Sequence, residues 1–311
     1  MGRTARPPPW LAPPWRHEVK SPMCRESIRW GGVAQMARIG FRKDPLPIIA
    51  LLTDFGSKDH YVGVMKGVIH GICRDAHVVD LSHNVSSQDI TEAAFVLRSS
   101  YRYFPPGTVF VCVVDPGVGS RRAIVCLRAN GQLFLAPDNG LLSVVASDSA
   151  PEGIYAVEDE RFFLKPVSRT FQGRDIFAAV AAHLCAGVDP AELGPPLARV
   201  QALRLPRPVK TAGGTLRGEV IYIDHFGNLI TNISDSILQT AFRGPRDRVE
   251  VSVKAHSIRG VSASYSEVEK GRLLALVGSS GYLEVAANEG SAAEMLGCRK
   301  GDRITLASAA G

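Results

Sequence analysis

From residue 48 to residue 185, short continuous apolar runs alternate with stripes at helical spacing. Residues 48–52 form an apolar run closing in Thr-Asp-Phe-Gly, which predicts a buried strand with a polar carboxyl end. Residues 61–72 carry Val64, Val68 and Ile72 on one helical face, and residues 77–81 predict a second strand. A helix follows over 89–101, with Ile90, Ala94 and Leu97 aligned, before Pro105-Pro106-Gly107 breaks the chain. Strands are predicted over 108–114, 123–127 and 133–136, then a helix after Gly140 and an amphipathic helix over 174–185. Alternation of this kind predicts an α/β layered domain with a mostly parallel sheet over 48–205. Past Pro195 and Pro196 the style changes to short strands punctuated by glycine, over 217–224, 229–233, 248–253, 272–277, 282–286 and 303–306. That predicts a second, all-β domain over 206–311, a small β-barrel.

Residues 1–47 fit neither style. They hold all three tryptophans, eight of the twenty prolines and no sustained periodicity, so a disordered extension is expected, or a start placed too early with Met36 as the true one. Composition changes the picture mainly here. The 311-residue chain has a formal charge of +6, but residues 1–47 contain nine Lys+Arg against three Asp+Glu, which already accounts for it. The remaining 27 basic and 27 acidic residues cancel, so nucleic acid is not an expected partner. No apolar run approaches the roughly 20 residues of a membrane span, so no membrane partner is expected. Six widely spaced cysteines with no CxxC pair, several inside apolar runs, point to buried thiols and a cytoplasmic address.

In open α/β sheets ligands bind beyond the carboxyl ends of the strands. Asp54, Asp80 and Asp115 stand at such ends, and Asp54 and Asp115 are followed within two residues by glycine. Helix caps and turns would explain each of them singly; together they suggest a site. The segment Asp115-Pro-Gly-Val-Gly lacks both GxxxxGK[ST] and GxGxxG, so it is not a standard phosphate loop. No GxSxG elbow is present and no histidine lies four residues from another beside a glutamate. A second patch lies in the β unit, where residues 224–228 (Asp-His-Phe-Gly-Asn) and 278–281 (Gly-Ser-Ser-Gly) read either as hairpin turns or as a place for a zwitterionic amino acid.

Taken in order, six stretches resemble the S-adenosyl-L-methionine (SAM) hydroxide adenosyltransferase family, the adenosine-forming SAM hydrolases related to the SAM-dependent fluorinase and chlorinase. They are TDFGSKDHYVGVMKG at 53–67, VDPGVG at 114–119, PDNG at 137–140, TFQGRDIF at 170–177, DHFGN at 224–228 and GSSGYLE at 278–284. The resemblance spans residues 48–308. It implies an α/β domain followed by a β-barrel, a homotrimer with SAM held between subunits, and no cofactor, SAM being the substrate. It further implies that Asp54 holds the ribose hydroxyls and that Asp59 and Tyr61 contact the methionine end. Asp224 would pair with the methionine ammonium, Ser279 with its carboxylate and Asn228 with the adenine edge, with Phe226 and Ser280 also among the binding residues.

The family's water-activating triad is Asp, Arg and His, which the resemblance maps to Asp115, Arg121 and, in place of histidine, Gln172. An amide cannot take a proton from water, although it can orient one. Two readings follow: hydrolysis of SAM to adenosine and methionine with Gln172 positioning the water, or a SAM- or adenosine-binding protein whose catalysis went with the histidine. Halide transfer fits less well. Asp115 stands where the fluorinase has tyrosine, a carboxylate repels halide, and the segment between Arg128 and Gln132 is short where the fluorinase carries an insertion.

Overall fold

A computed structural model describes residues 47–309; the reading given for the chain before Pro47, Met36 included, lies outside the described residues. Six strands form the first sheet: β1 (Ile48–Thr53), β2 (His77–Ser82), β3 (Val109–Val113), β4 (Ile124–Ala129), β5 (Gln132–Pro137) and β6 (Gly153–Ala156). Their order is β2-β1-β3-β5-β4-β6. β1 pairs in parallel with β2 and β3, and β3 with β5, whereas β4 is antiparallel to both its neighbours. The sheet is thus mostly parallel, with β4 alone reversed. A two-residue turn causes the reversal: Asn130 and Gly131 both have positive φ, 56° and 66°, the twist that joins antiparallel strands.

Helices α1 (Tyr61–Ile72), α2 (Ile90–Ser100), α3 (Ser143–Asp148) and α4 (Ala179–Cys185) cover the sheet on both sides. Ile49, Leu51 and Val111 pack with Met65, Ile69 and Phe177 on the α1/α4 side. Their strand neighbours Ala50, Leu52 and Phe110 pack with Ala94, Leu97 and Val145 on the α2/α3 side. Burial on both faces is why these strands read as continuous apolar runs. The helix expected over 174–185 opens as a π-helical turn, Gly173–Ala178, before continuing as α4.

The second sheet contains β7 (Val209–Lys210), β8 (Leu216–Ile223), β9 (Leu229–Ser234), β10 (Val249–Val253), β11 (His256–Arg259), β12 (Leu273–Val277), β13 (Tyr282–Ala287) and β14 (Arg303–Ser308). It runs β11-β10-β14-β8-β9-β13-β12, with β7 added beside β8. A single bridge between Ser262 and Leu276 draws its two ends together, so the antiparallel barrel is nearly closed. Two short helices interrupt what reads as an all-β unit, α5 (Asp235–Ala241) and α6 (Ala292–Leu296). Each starts on a serine, Ser234 or Ser291, whose hydroxyl accepts a backbone N–H three residues on.

The barrel meets the first sheet through α2. Phe95 packs its ring on Tyr222 at 5.1 Å and Tyr282 at 5.8 Å. Arg98 ties the junction together by donating to the Tyr282 hydroxyl at 3.1 Å while pairing with buried Asp148 at 2.7 Å.

Candidate active site

The carboxyl end of β1 is fixed from beneath. Thr53 is fully buried, and its hydroxyl lies 2.9 Å from His83 Nδ1. The Gly56 N–H donates to the His83 carbonyl at 2.7 Å, so one residue after β2 holds both sides of Asp54. His83 Nε2 lies 2.9 Å from Asp80 Oδ1 in an ion-pair contact without hydrogen-bond alignment. Lys66 donates to the other Asp80 oxygen at 2.7 Å. Burial works against ionisation of Asp80, but the Lys66 hydrogen bond and the His83 contact together outweigh it and hold the carboxyl below its ordinary value. Asp54 itself accepts the Gln88 N–H at 2.8 Å, and among the described residues no donor reaches its other oxygen. Asp59 is exposed on the turn leading into α1. Tyr61 opens that helix with its ring 5.0 Å from Phe171, edge-on, and 5.9 Å from Phe55.

Beyond β3 the chain turns through residues 115–122 and brings three side chains together. Arg122 donates to Asp115 Oδ2 through Nε at 2.9 Å and Nη2 at 2.5 Å. The same Nη2 donates to Gln172 Oε1. Among the described residues Asp115 Oδ1 accepts only the Gly117 N–H, at 3.2 Å. Arg121, the arginine to which the resemblance points, is exposed, and it is its neighbour Arg122 that contacts Asp115 and Gln172. The reason is the tight turn Asp115–Ser120, in which Gly119 takes φ +76° and packs so closely on the Arg169 carbonyl that a Cβ would lie 2.5 Å from it. That turn sends the second arginine back over Asp115, with its guanidinium above the Phe177 ring. Asp115 and Arg122 are only 5% and 12% exposed in their side chains, so each depends on the other.

Gln172 sits immediately before the π-helical turn, a feature frequent at functional sites. The loop before it is anchored by Asp175, fully buried, which accepts from Ser168 N at 2.7 Å and from Arg174 Nε and Nη2 at 2.5 and 2.9 Å. Phe55 and Phe171 crowd Gly173, where a Cβ would come within 3.1 Å of the Phe55 ring. Asp54, Tyr61 and the Asp115 group thus share one rim of the sheet.

The barrel residues form a second group. Asp224 Oδ1 accepts the N–H of Phe226 and Asn228, both at 2.9 Å, and Oδ2 accepts the Asn228 side-chain amide at 2.8 Å. The residues assigned to opposite ends of the ligand are therefore hydrogen-bonded to each other. Phe226 is 73% exposed at the tip of this turn, and Asn228 is buried. Ser279 is exposed, whereas the half-buried Ser280 has a buried hydroxyl that finds no hydrogen-bond partner among the described residues. Among the described residues no hydrogen bond, ion pair or ring contact joins this group to Asp115, Arg122 or Gln172. No set of three or more His, Cys, Asp or Glu side chains among them is arranged to hold a metal ion.

Arg122, Phe171, His83 and Glu284 were not singled out from sequence. Arg122 and Phe171 adjoin residues that were, Glu284 closes a quoted stretch, and His83 follows a strand end already marked by Asp80.

Comparison with known proteins places these residues in context. Residues 49–194 match the SAM hydroxide adenosyltransferase N-terminal domain and residues 218–305 the corresponding C-terminal domain. A protein of Salinispora tropica named (R)-S-adenosyl-L-methionine hydrolase is 36% identical, over 84% of this chain and 98% of its own. A Thermus thermophilus protein of the same name is 38% identical, over 83% and 98%. A crystal structure of an uncharacterized conserved protein from Thermotoga maritima superposes with a TM-score of 0.78 at 39% identity, covering 83% of this chain and 99% of that one. The chain thus belongs to the SAM hydroxide adenosyltransferase family.

Proposed function

We propose that the protein hydrolyses SAM to adenosine and L-methionine by attack of a water on the 5′ carbon of the ribose. The observation that carries the mechanism is the Arg122 bridge between Asp115 and Gln172. Asp115 Oδ2 is committed to Arg122, which leaves Oδ1 to accept the proton of the attacking water. The Gln172 carbonyl oxygen is held by Arg122, so its amide nitrogen is the group free to donate to the water oxygen and fix its position. A bond forms from the water oxygen to C5′ as the C5′–S bond breaks. Its electron pair stays on sulfur, giving a neutral thioether that needs no proton. The water proton passes to Asp115 and on to solvent. Asp54, with one oxygen unengaged, holds the ribose hydroxyls.

Binding without catalysis is the less favoured reading, because the buried Asp115–Arg122 pair keeps a proton acceptor in place without the histidine. The two-residue turn at Asn130-Gly131 and the carboxylate at Asp115 both favour water over halide. A homotrimer with SAM between subunits accounts for the separation of the Asp115 and Asp224 groups within one chain, and for exposed Phe226 beside Asp224. The five described cysteines are all free thiols, which supports a cytoplasmic address.

The test is chromatography after incubation with SAM in halide-free buffer. Adenosine and methionine should appear together with the unmodified protein and not with Asp115→Ala. Unimpaired turnover by that variant would overturn the mechanism, and a monomer by light scattering would overturn the shared site.

A further inference from the structure

β13 alternates between the barrel interior and the outer face. Leu283 and Val285 belong to the barrel core. Glu284 between them points the other way, yet it is only 6% exposed. In register it lies opposite Ile230 of β9 and Leu276 of β12, while Ile230 in turn lies opposite Tyr222 of β8. Tyr222 ends this row against Phe95 of α2, and Asp224 follows it by two residues. Glu284 therefore lies on the face where the barrel meets the first domain, between the Asp224 turn and the turn Gly278–Gly281.

A buried carboxylate normally has a cation or several donors. Among the described residues the sole side-chain donor to it is the Tyr265 hydroxyl, at 3.5 Å, the outer limit of a hydrogen bond. Among the described residues neither Glu284 nor Asp224 forms an ion pair with a cationic side chain. The chain keeps space for the Glu284 carboxylate at the cost of a side chain: a Cβ on Gly278 would lie 1.7 Å from Glu284 Oε1. Burial, and next the Asp224 charge, push the Glu284 carboxyl up to about 7. The titratable groups facing it are Asp224 and Tyr265, and Glu92 joins Asp224 in acting on the neighbouring Tyr222 phenol. The Ser280 hydroxyl in the adjoining turn is also buried without a partner.

We propose that Glu284 is a specificity-determining residue of this site, supplying a second carboxylate that, with Asp224, reads the α-ammonium group of the substrate's amino-acid end. The inference rests on the reading of the site as one for SAM. Asp224 alone gives three of its contacts to its own turn, so a second carboxylate supplies the acceptor that an ammonium with three donors still needs. It also makes discrimination steep, because a ligand lacking the ammonium leaves two carboxylates buried against each other.

Calorimetric binding of SAM and of its analogue with the α-amino group replaced by hydrogen, to the unmodified protein and to Glu284→Gln, tests this. Hydrolysis is followed separately by chromatography. SAM should bind the variant about tenfold more weakly, whereas the deamino analogue, no longer facing two carboxylates, should bind the variant at least as well as the unmodified protein. An unchanged SAM affinity, or an equal loss for both ligands, would overturn the assignment. If the affinities behave as expected but no adenosine forms, the hydrolase reading fails and the role of Glu284 stands. If the unmodified protein binds neither ligand, both fall. Glu284→Asp separates charge from fold: it should retain discrimination against the analogue even where its affinity drops.

Discussion

Arg122 places two of its nitrogens on a single oxygen of Asp115, which leaves the other carboxylate oxygen with one weak backbone donor. This asymmetry is what makes Asp115 useful as a proton acceptor while Arg122 keeps it oriented. Arg122→Ala should lower kcat about 100-fold or more, as removal of a preorganised charge generally does. It should also cost about 3–5 kcal/mol of stability by stranding a buried carboxylate. Arg121→Ala should stay within twofold of the unmodified protein. Turnover and denaturant unfolding of the two variants side by side check the assignment.

Gln172 brings no titrating group to the reaction. The kcat of the unmodified protein should therefore stay level between about pH 6 and 8, where an imidazole would titrate. Gln172→His should introduce an acid limb near about pH 6.5, since protonated imidazole can no longer accept from water. An acid limb of that kind in the unmodified protein's kcat would show that another group is the base.

Gly278→Ala sets a methyl group against the Glu284 carboxylate, and overpacking of this kind typically costs about 1–3 kcal/mol. The loss should shrink sharply when Glu284 is itself shortened to alanine, because the obstructing atoms are gone. A double-mutant cycle on unfolding free energies measures the coupling.

Stability should respond to pH through Glu284. Its carboxyl is raised in the folded protein from an ordinary 4.5 to about 7, so between these values the native state holds a proton that the unfolded chain has released. Stability then falls as pH rises through that window, by an amount on the order of 3 kcal/mol, and the penalty is absent below it. Glu284→Gln, which never ionises, should gain on the unmodified protein between pH 5 and pH 8. Thermal melts of ligand-free protein at the two values give the sign.

Much of this arrangement is legible in the chain. The run ending in Thr53-Asp54 and the helix over Tyr61–Ile72 are signalled by burial on both faces of a parallel sheet and by a 3.6-residue period, both of which are local patterns. Reversal of β4 was legible too, since Asn130-Gly131 is a hairpin signal that the α/β rhythm around it obscures. The choice between Arg121 and Arg122 was not, because side-chain direction in an irregular turn depends on how Gly119 packs against Arg169. Nor was Glu284: a polar residue between Leu283 and Val285 reads as the solvent side of a strand, and only the register with Tyr222 shows that α2 faces it.

The π-helical turn at Gly173–Ala178 bears on what kinds of change this protein can absorb. One residue more or fewer there would rotate everything beyond it by about 100° relative to everything before it. Gln172 would leave Arg122, or the buried side of α4 would leave the sheet. Substitutions in this stretch can be tried one at a time, as the glutamine itself illustrates, but its length cannot. Descent within the family should therefore record exchanges of residue across 172–185 and almost no insertions or deletions, a pattern to seek in lineages rather than in the test tube.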